Sequence, residues 1–350
     1  MQKNFAMKVL VTGGTGYIGS HTAVELQNAG FEVVIADNLV NSEPQVIDSI
    51  GEISGKTPVF VEADLSDPGK TEVLFEKHPD IAAVIHFAAL KAVGDSVARP
   101  LEYYRNNIFS LVNLLNSMKK FGVEHFVFSS SCTVYGQPDE LPVKEETPRK
   151  DAESPYGNTK KIAEDILSNE VEATGLKCIA LRYFNPIGAH PTTLIGELPL
   201  GVPDNLVPYI TQTAIGIRDQ LKVFGNNYNT PDGTPIRDYI HVVDLAQAHV
   251  VALQRMAENK QRSPWEIFNL GTGNGFSVLE VIKSFEKVSG TKLNYEIVDR
   301  RPGDIEKVWA DTEYANSELG WKAARSLDEM MLSAWKWEQA LQKEKRNNRS

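Results

Sequence analysis

The sequence predicts an α/β fold: a doubly wound parallel sheet followed by a smaller C-terminal α/β lobe. Three observations predict it. Short apolar β-rich runs alternate with helix-length stretches over the first half of the chain. A glycine cluster separates the first such run from the first helix. After about Asn185 the texture changes, with Pro and Gly frequent over residues 186–208 and a second turn-rich stretch at 226–235. Strands covered on both faces by crossover helices read as continuous apolar runs, so the alternation implies a parallel sheet.

The elements follow in order. Residues 8–12 are the first β run, and 20–29 a helix closed by Gly30. Further β runs lie at 32–36, 59–62 and 82–86. Residues 101–120 have helical length and apolar periodicity. A strand at 125–129, a helix from Pro155 and a strand at 177–182 complete the pattern. These readings place a nucleotide-binding domain at 1–185, a second lobe at 186–345 and a frayed tail at 346–350. The run at 267–270 reads as a strand that returns to the first domain, within a rejoining segment near 237–275.

Composition narrows the function class. The chain has 350 residues, 42% hydrophobic and 23% charged, with a formal net charge of −10. Such a balance opposes a broad nucleic-acid surface, which needs clustered Lys and Arg. The basic stretch from Lys343 to Arg346 reads as part of a solvated tail. Two cysteines, Cys132 and Cys178, offer no disulfide framework, and a reducing cytoplasmic setting is expected. The first residues read as lacking a signal peptide. No stretch approaches the roughly 18 apolar residues of a membrane span. The seven histidines are scattered without metal-binding spacing, so no metal is expected and they read as structural or surface residues.

Two segments carry chemistry. Gly13-x-x-Gly16-x-x-Gly19 follows the first strand and opens the first helix. Glycines there tighten the turn and let backbone N–H groups approach a pyrophosphate at the helix N-terminus. Asp37 closes the next strand, 18 residues past Gly19. A carboxylate there bonds ribose hydroxyls and repels a 2′-phosphate, which favours NAD over NADP in a Rossmann-like domain. The second segment runs from Ser154 to Lys160. Ser154 suits an N-cap and Pro155 the first helical position, so Tyr156 and Lys160 share one helix face. A free phenol titrates near 10 and is a weak base, and a nearby lysine cation is expected to lower it towards general-base work. Ser129-Ser130-Ser131 ends a strand about two dozen residues earlier and brings hydroxyls to the same sheet edge.

With these motifs the chain resembles the extended short-chain dehydrogenase/reductase superfamily and, within it, the UDP-glucose 4-epimerase family. The resemblance runs nearly end to end. It is most specific over 12–21, 86–94, 129–136, 182–186 and 237–242, and includes Arg300-Arg301-Pro302-Gly303-Asp304 and Trp309-Ala310-Asp311. It implies that Tyr17 and Ile18 lie on the NAD with the glycines. Asp37, Asn38, Asn41 and Ser42 would surround the adenosine ribose, and Asp64 and Leu65 the adenine. Phe87, Ala88, Ala89, Lys91 and Asn106 would line the cofactor, with Phe184 near the nicotinamide. Ser131 would hydrogen-bond the reacting hydroxyl, Tyr156 would be the base, and Lys160 would hold the nicotinamide ribose. For the substrate, the resemblance implies Asn185, Asn205, Leu206 and Lys91 as contacts and Phe224 near uracil. Arg237 and Arg301 would clamp the pyrophosphate, Asp304 would hold the uridine ribose, and Val308 would wall the hexose. A small residue there is expected to admit UDP-GlcNAc and UDP-GalNAc.

The implied reaction is C4 epimerisation of a UDP-sugar through a 4-keto intermediate with tightly bound NAD. The resemblance also implies a homodimer built on the two long helices. Nucleotide-sugar dehydratases resemble Thr/Ser-Asp-Glu just after the strand edge, whereas this chain reads Ser131-Cys132-Thr133. Decarboxylases of the same fold, and a non-catalytic NAD-sensing protein, are the other readings.

Overall fold

The computed structural model describes residues 7–301 and 304–347. Expectations about residues 1–6, about Pro302 and Gly303 in the arginine motif, and about tail residues 348–350 lie outside the described residues. Seven parallel strands form the central sheet: β1 (Lys8–Thr12), β2 (Glu32–Asp37), β3 (Val59–Glu62), β4 (Ile81–His86), β5 (His125–Ser131), β6 (Lys177–Tyr183) and, after three strands elsewhere, β10 (Trp265–Leu270). Their order is β10-β6-β5-β4-β1-β2-β3. Strand order reverses at β1, between β2 and β4. In a doubly wound sheet that switch point opens the crevice where ligands bind.

Apolar side chains alternate between the two faces and build two cores. Helices α1 (Tyr17–Asn28), α2 (Val46–Ser54) and α8 (Val242–Ala257) cover one face, burying Val24, Ile50, Leu245 and Leu253 against Val9, Val11 and Ile85. On the other face lie α3 (Pro68–Lys77), α5 (Pro100–Phe121) and α6 (Pro155–Thr174). They bury Phe75, Leu111, Leu114 and Leu167 against Leu10, Val84 and Phe126. The short α4 (Val93–Ala98) precedes α5.

The second lobe has a four-stranded sheet of β7 (Asn185–Ile187), β9 (Ile236–His241), β11 (Gly275–Ser277) and β13 (Lys307–Val308). A separate pair joins β8 (Leu221–Phe224) to β12 (Tyr295–Val298). Helices α7 (Leu206–Ala214), α9 (Val278–Ser289) and α10 (Leu327–Asn347) pack around Ile210, Phe285, Met331 and Trp335.

Three boundaries differ from expectation. The first helix begins at Tyr17, because Gly16 takes an extended conformation and serves as its N-cap. The rejoining segment is narrower than 237–275: α8 and β10 return to the first domain, while β9 and β11 stay in the second. The tail expected to fray at 346 is helical through Asn347, because α10 packs Met330, Met331 and Trp335 into the second core and its helix continues past them.

Helix α6 is fixed at both ends and in the middle. Ser154 Oγ accepts from Gly157 N at 3.1 Å, Pro155 occupies the first turn, and Gly175 closes the helix in the left-handed region. In between, buried Glu164 receives both Arg182 Nε (2.8 Å) and Nη2 (2.6 Å) from β6, and Ser130 Oγ (2.6 Å) from β5. Both members of the ion pair are at most 3% exposed. Removing one partner of such a pair strands the other in a low-dielectric site. Arg182→Met should therefore destabilise the protein by on the order of 3–5 kcal/mol, read as a fall in the urea midpoint. Arg149 Nη1 also donates to Glu164 Oε2 at 3.3 Å, and a loss below about 1 kcal/mol would show that Ser130 and Arg149 suffice to satisfy Glu164.

Candidate active site

The glycine loop meets the crevice where the sheet order reverses. Gly13 has φ 68°, and a Cβ there would stand 2.7 Å from Ala88 N and 2.9 Å from Phe87 C. A Cβ on Gly19 would stand 2.3 Å from Gly13 O. The loop thus lies directly against the 87–89 segment that follows β4, and α1 packs onto the loop. Gly16 gives α1 no side-chain cap, which leaves first-turn N–H groups for an anionic ligand. Asp37 sits at the end of β2, where Oδ2 accepts from Thr15 N (3.2 Å) and Oδ1 from Leu39 N (3.0 Å) and Ser42 Oγ (3.4 Å). Asn38 Oδ1 accepts from Val40 N, and Asn41 is exposed on the same loop. Asp64 accepts from Ser66, and the buried Leu65 carbonyl accepts from Asn113 Nδ2 at 2.9 Å. Tyr17 OH donates to Gly188 O at 2.6 Å, joining this loop to the second lobe. Ile18 packs against the first core. These groups fit a dinucleotide: a cradle with no Cβ, uncapped N–H donors and a carboxylate for ribose hydroxyls.

Tyr156, Lys160 and Ser131 meet at the C-terminal edge of β5. Lys160 Nζ donates to Ser129 O at 2.6 Å and lies 4.9 Å from the centre of the Phe128 ring. Burial lowers its pKa to about 8, against the pull of Glu164 one turn on. Burial pushes the Tyr156 phenol up to about 12; Cys132 adds to the rise and a hydrogen bond with Ser131 opposes it. Lys160, expected to lower the Tyr156 pKa, is not among the groups that act on it. Its ammonium is turned to the Ser129 carbonyl, and Ser131 is the group that favours tyrosinate. His86 is held near 3, chiefly by burial and then by Lys160, and bonds Thr12 Oγ1 at 2.7 Å. It stays neutral and adds no positive charge to the site at neutral pH.

The expected substrate contacts gather in two groups. Arg301 stacks on Phe224 with 3.8 Å between guanidinium carbon and ring centre, and Arg237 Nη2 pairs with Asp304 Oδ1 at 2.5 Å. In the second group, Glu197 Oε1 accepts from Lys91 Nζ (3.4 Å) and Asn205 Nδ2 (2.5 Å). Leu206 opens α7 beside Asn205, and Asn185 opens β7. Phe184 and Val308 share a small core with Val134, Tyr135, Val143 and Ala310, flanked by Cys132. Asn106 donates to Asn107.

Three positioning side chains escaped sequence reasoning. Glu197 links the two lobes through Lys91 and Asn205. Asn107 Oδ1 accepts from Leu90 N and its Nδ2 donates to Leu90 O and Thr159 Oγ1, tying the 88–91 loop to α6. Asp238 lies beneath Arg237 and is fully buried. Asn107 follows Arg105 and Asn106, and Asp238 follows Arg237, so neither stands out from its polar neighbours in the sequence.

Comparison with known proteins gives the family. A family model described as GDP-mannose 4,6 dehydratase matches residues 10–333. The UDP-glucose 4-epimerase of Bacillus subtilis (strain 168) is 52% identical over 333 residues, covering 95% of this chain and 97% of that protein. The crystal structure of UDP-glucose-4-epimerase from Stenotrophomonas maltophila, with bound NAD and formylated UDP-arabinopyranose, superposes with a TM-score of 0.92. It is 49% identical and covers 97% of this chain and 99% of its own. The UDP-Glc/GlcNAc 4-epimerase from the human pathogen Campylobacter jejuni is 36% identical with a TM-score of 0.82, covering 96% and 100%. The chain belongs to the UDP-glucose 4-epimerase family.

Within the UDP-glucose 4-epimerase family, NAD is the cofactor, and the glycine cradle and Asp37 are built for it. Lys160 gives a direct electrostatic test. Its pKa is lower in the folded protein than in the unfolded chain, so folding opposes its charged form. That penalty is complete below about pH 8 and fades as pH climbs to the ordinary lysine value of 10.5. Wild type should therefore gain stability from this group between those limits. Lys160→Met should remove that gain, and urea midpoints at about pH 7 and about pH 10 should show a smaller rise, or steeper fall, than in wild type. Equal slopes would place the Lys160 pKa near its unfolded value.

Proposed function

We propose that this protein interconverts UDP-glucose and UDP-galactose by inverting C4, with NAD held throughout the cycle. The arrangement of Tyr156, Ser131 and Lys160 at one sheet edge carries this reading, together with Cys132 and Thr133 where a dehydratase needs two carboxyl groups. Burial pushes the Cys132 thiol up to about 12, so it is no acid–base substitute at neutral pH.

The residues divide the work. Ser131 has one proton, so it donates to the Tyr156 oxygen while accepting from the reacting hydroxyl, and Tyr156 takes the O4 proton as general base. Bound NAD supplies the hydride acceptor and then the hydride donor at C4, and its positive ring favours the tyrosinate. Tyr156 returns the same proton to O4 after the 4-keto sugar has turned over. Lys160 holds the nicotinamide ribose. Arg237 releases Asp304, Arg301 leaves the Phe224 ring, and both keep the pyrophosphate in place, for which forked guanidiniums are suited. Phe224 stacks on uracil, Asp304 holds the uridine ribose, and Asn185, Asn205, Leu206 and Lys91 complete the contacts. Around the NAD, Tyr17, Ile18, Asn38, Asn41, Ser42, Asp64, Leu65, Phe87, Ala88, Ala89, Asn106 and Phe184 take the places the family resemblance implies.

Protein given UDP-galactose and no added NAD should yield UDP-glucose, with neither water nor carbon dioxide lost. Tyr156→Phe should lower turnover by about a thousandfold with cofactor still bound. Release of water or carbon dioxide would instead make the chain a dehydratase or a decarboxylase. Val308 is buried in the core beside Phe184, and the family resemblance implies that a residue of its size leaves room at C2. UDP-GalNAc should also be converted, and Val308→Tyr should abolish that conversion while sparing UDP-galactose. Unchanged UDP-GalNAc turnover in the variant would remove Val308 from the sugar wall.

We also propose a homodimer in the cytoplasm. Leu101, Phe109 and Val112 lie along one stripe of α5 and are 81, 54 and 37% exposed. Such a stripe beside α6 suits a four-helix contact between two copies. Sedimentation should show a dimer that Leu101→Asp with Phe109→Asp converts to a monomer; a wild-type monomer would reject the proposal.

A further inference from the structure

The wall that carries Val308 is a two-residue strand, and nothing in its length explains why it holds still. Its position is set by neighbours. On one side Val143 N donates to Trp309 O (2.9 Å) and Val143 O accepts from Asp311 N (2.7 Å). On the other side stands Asp238. Its Oδ1 accepts from Thr272 N (2.8 Å) and Thr272 Oγ1 (2.7 Å), and its Oδ2 from Gly273 N (3.1 Å) and Ala310 N (3.2 Å).

Those donors come from two different places. Thr272 and Gly273 form the turn just after β10, the last strand of the central sheet. Ala310 lies two residues beyond Val308. Asp238 itself belongs to β9, where Arg237 is paired in register with Val308. One carboxylate therefore joins the edge of the NAD-binding sheet, the strand bearing Arg237 and the segment bearing Val308. It has no freedom to move: a Cβ on Gly271 would stand 2.3 Å from Asp238 Oδ2 and 2.8 Å from Ala310 Cβ.

We propose that Asp238 is a positioning residue for the sugar pocket, fixing the Val308 wall relative to the central sheet. This rests on the epimerase reading and on Val308 lining the pocket. The chemistry requires a carboxylate. All four partners donate, and an ionised carboxylate only accepts. Burial raises the pKa of Asp238 and its four donors oppose the rise. An amide of the same shape presents an NH2 group to one pair of donors. Thr272 or Ala310 must then retreat, and the wall moves with it. A residue that merely supported the fold would lower the amount of folded enzyme and leave KM alone.

The test is a double-mutant cycle on full-length protein, with UDP-galactose as substrate. Asp238→Asn should raise KM by about fivefold or more while kcat stays within about threefold. In a Val308→Ala background, where the wall is already cut back, the same change should raise KM by less than about twofold. Thr272→Val deletes one donor and keeps the side-chain shape. It should give a smaller KM rise with the same dependence on Val308, and it serves if Asp238→Asn does not fold. Equal KM rises in both backgrounds, or loss of kcat alone, would overturn the proposal. Absence of wild-type activity on UDP-galactose would instead overturn the epimerase reading, so the two failures are distinct.

Discussion

The pair between Glu164 and Arg182 is the constraint on which the site depends. Glu164 stands on α6 one turn beyond Lys160 and two beyond Tyr156, so its grip on β6 fixes where both fall above the sheet. Arg182 extends the chain of contacts. Its Nη1 donates to Tyr135 OH (2.8 Å), which donates to Asn269 Oδ1 (2.7 Å), and Asn269 Nδ2 donates to Val143 O (3.0 Å). Val143 in turn holds the segment from Trp309 to Asp311. The helix that carries Tyr156 and Lys160 and the segment that follows Val308 are thereby set by one buried polar network. Such a network specifies geometry when every member is satisfied, and each of these groups has its partner.

Charges around the pocket are all engaged within the protein. Lys160 is on a carbonyl, Lys91 on Glu197, Arg237 on Asp304, and Arg301 on an aromatic face. A phosphate-bearing ligand must exchange these contacts for its own. That exchange favours a ligand with several anionic oxygens, because one weak anion could not replace a 2.5 Å ion pair and a cation–π contact together.

Much of the fold is legible in the sequence because its signals are local. Strand runs, the glycine loop, Asp37 and the Ser154–Pro155 helix start each depend on residues within a few positions of one another. The site is legible to the extent that it is local too: Tyr156 and Lys160 are one turn apart, and Ser131 ends a recognisable strand. Contacts between distant segments leave no such trace. Glu197 meets Lys91 across 106 positions, and Asp238 meets Ala310 across 72. The direction of Lys160 was also hidden, since spacing puts two side chains on one face but does not say which carbonyl an ammonium will choose. The basic end of the chain is exposed over residues 343–347, as its charge suggests, while the helix it continues is anchored in a core by its earlier turns.

A dehydratase family model spans nearly the whole chain, so the fold alone does not choose between losing water and inverting a centre. The number of proton sites does. Expelling water needs an acid for the leaving hydroxyl and a base for a carbon-bound proton, which are two groups with opposed tasks. Inversion through a ketone removes one proton from O4 and later returns it, so a single phenol can serve both directions. Next to Ser131 this chain has a half-buried thiol and Thr133, while Asp238, the carboxylate that acts on that thiol, is committed to four donors. The remaining demand of inversion is that the sugar turn while the nucleotide stays put. A pocket with firm grips at the pyrophosphate end and a small apolar wall at the hexose end would meet that demand, and Arg237 and Val308, proposed for those two tasks, are paired in register on adjoining strands.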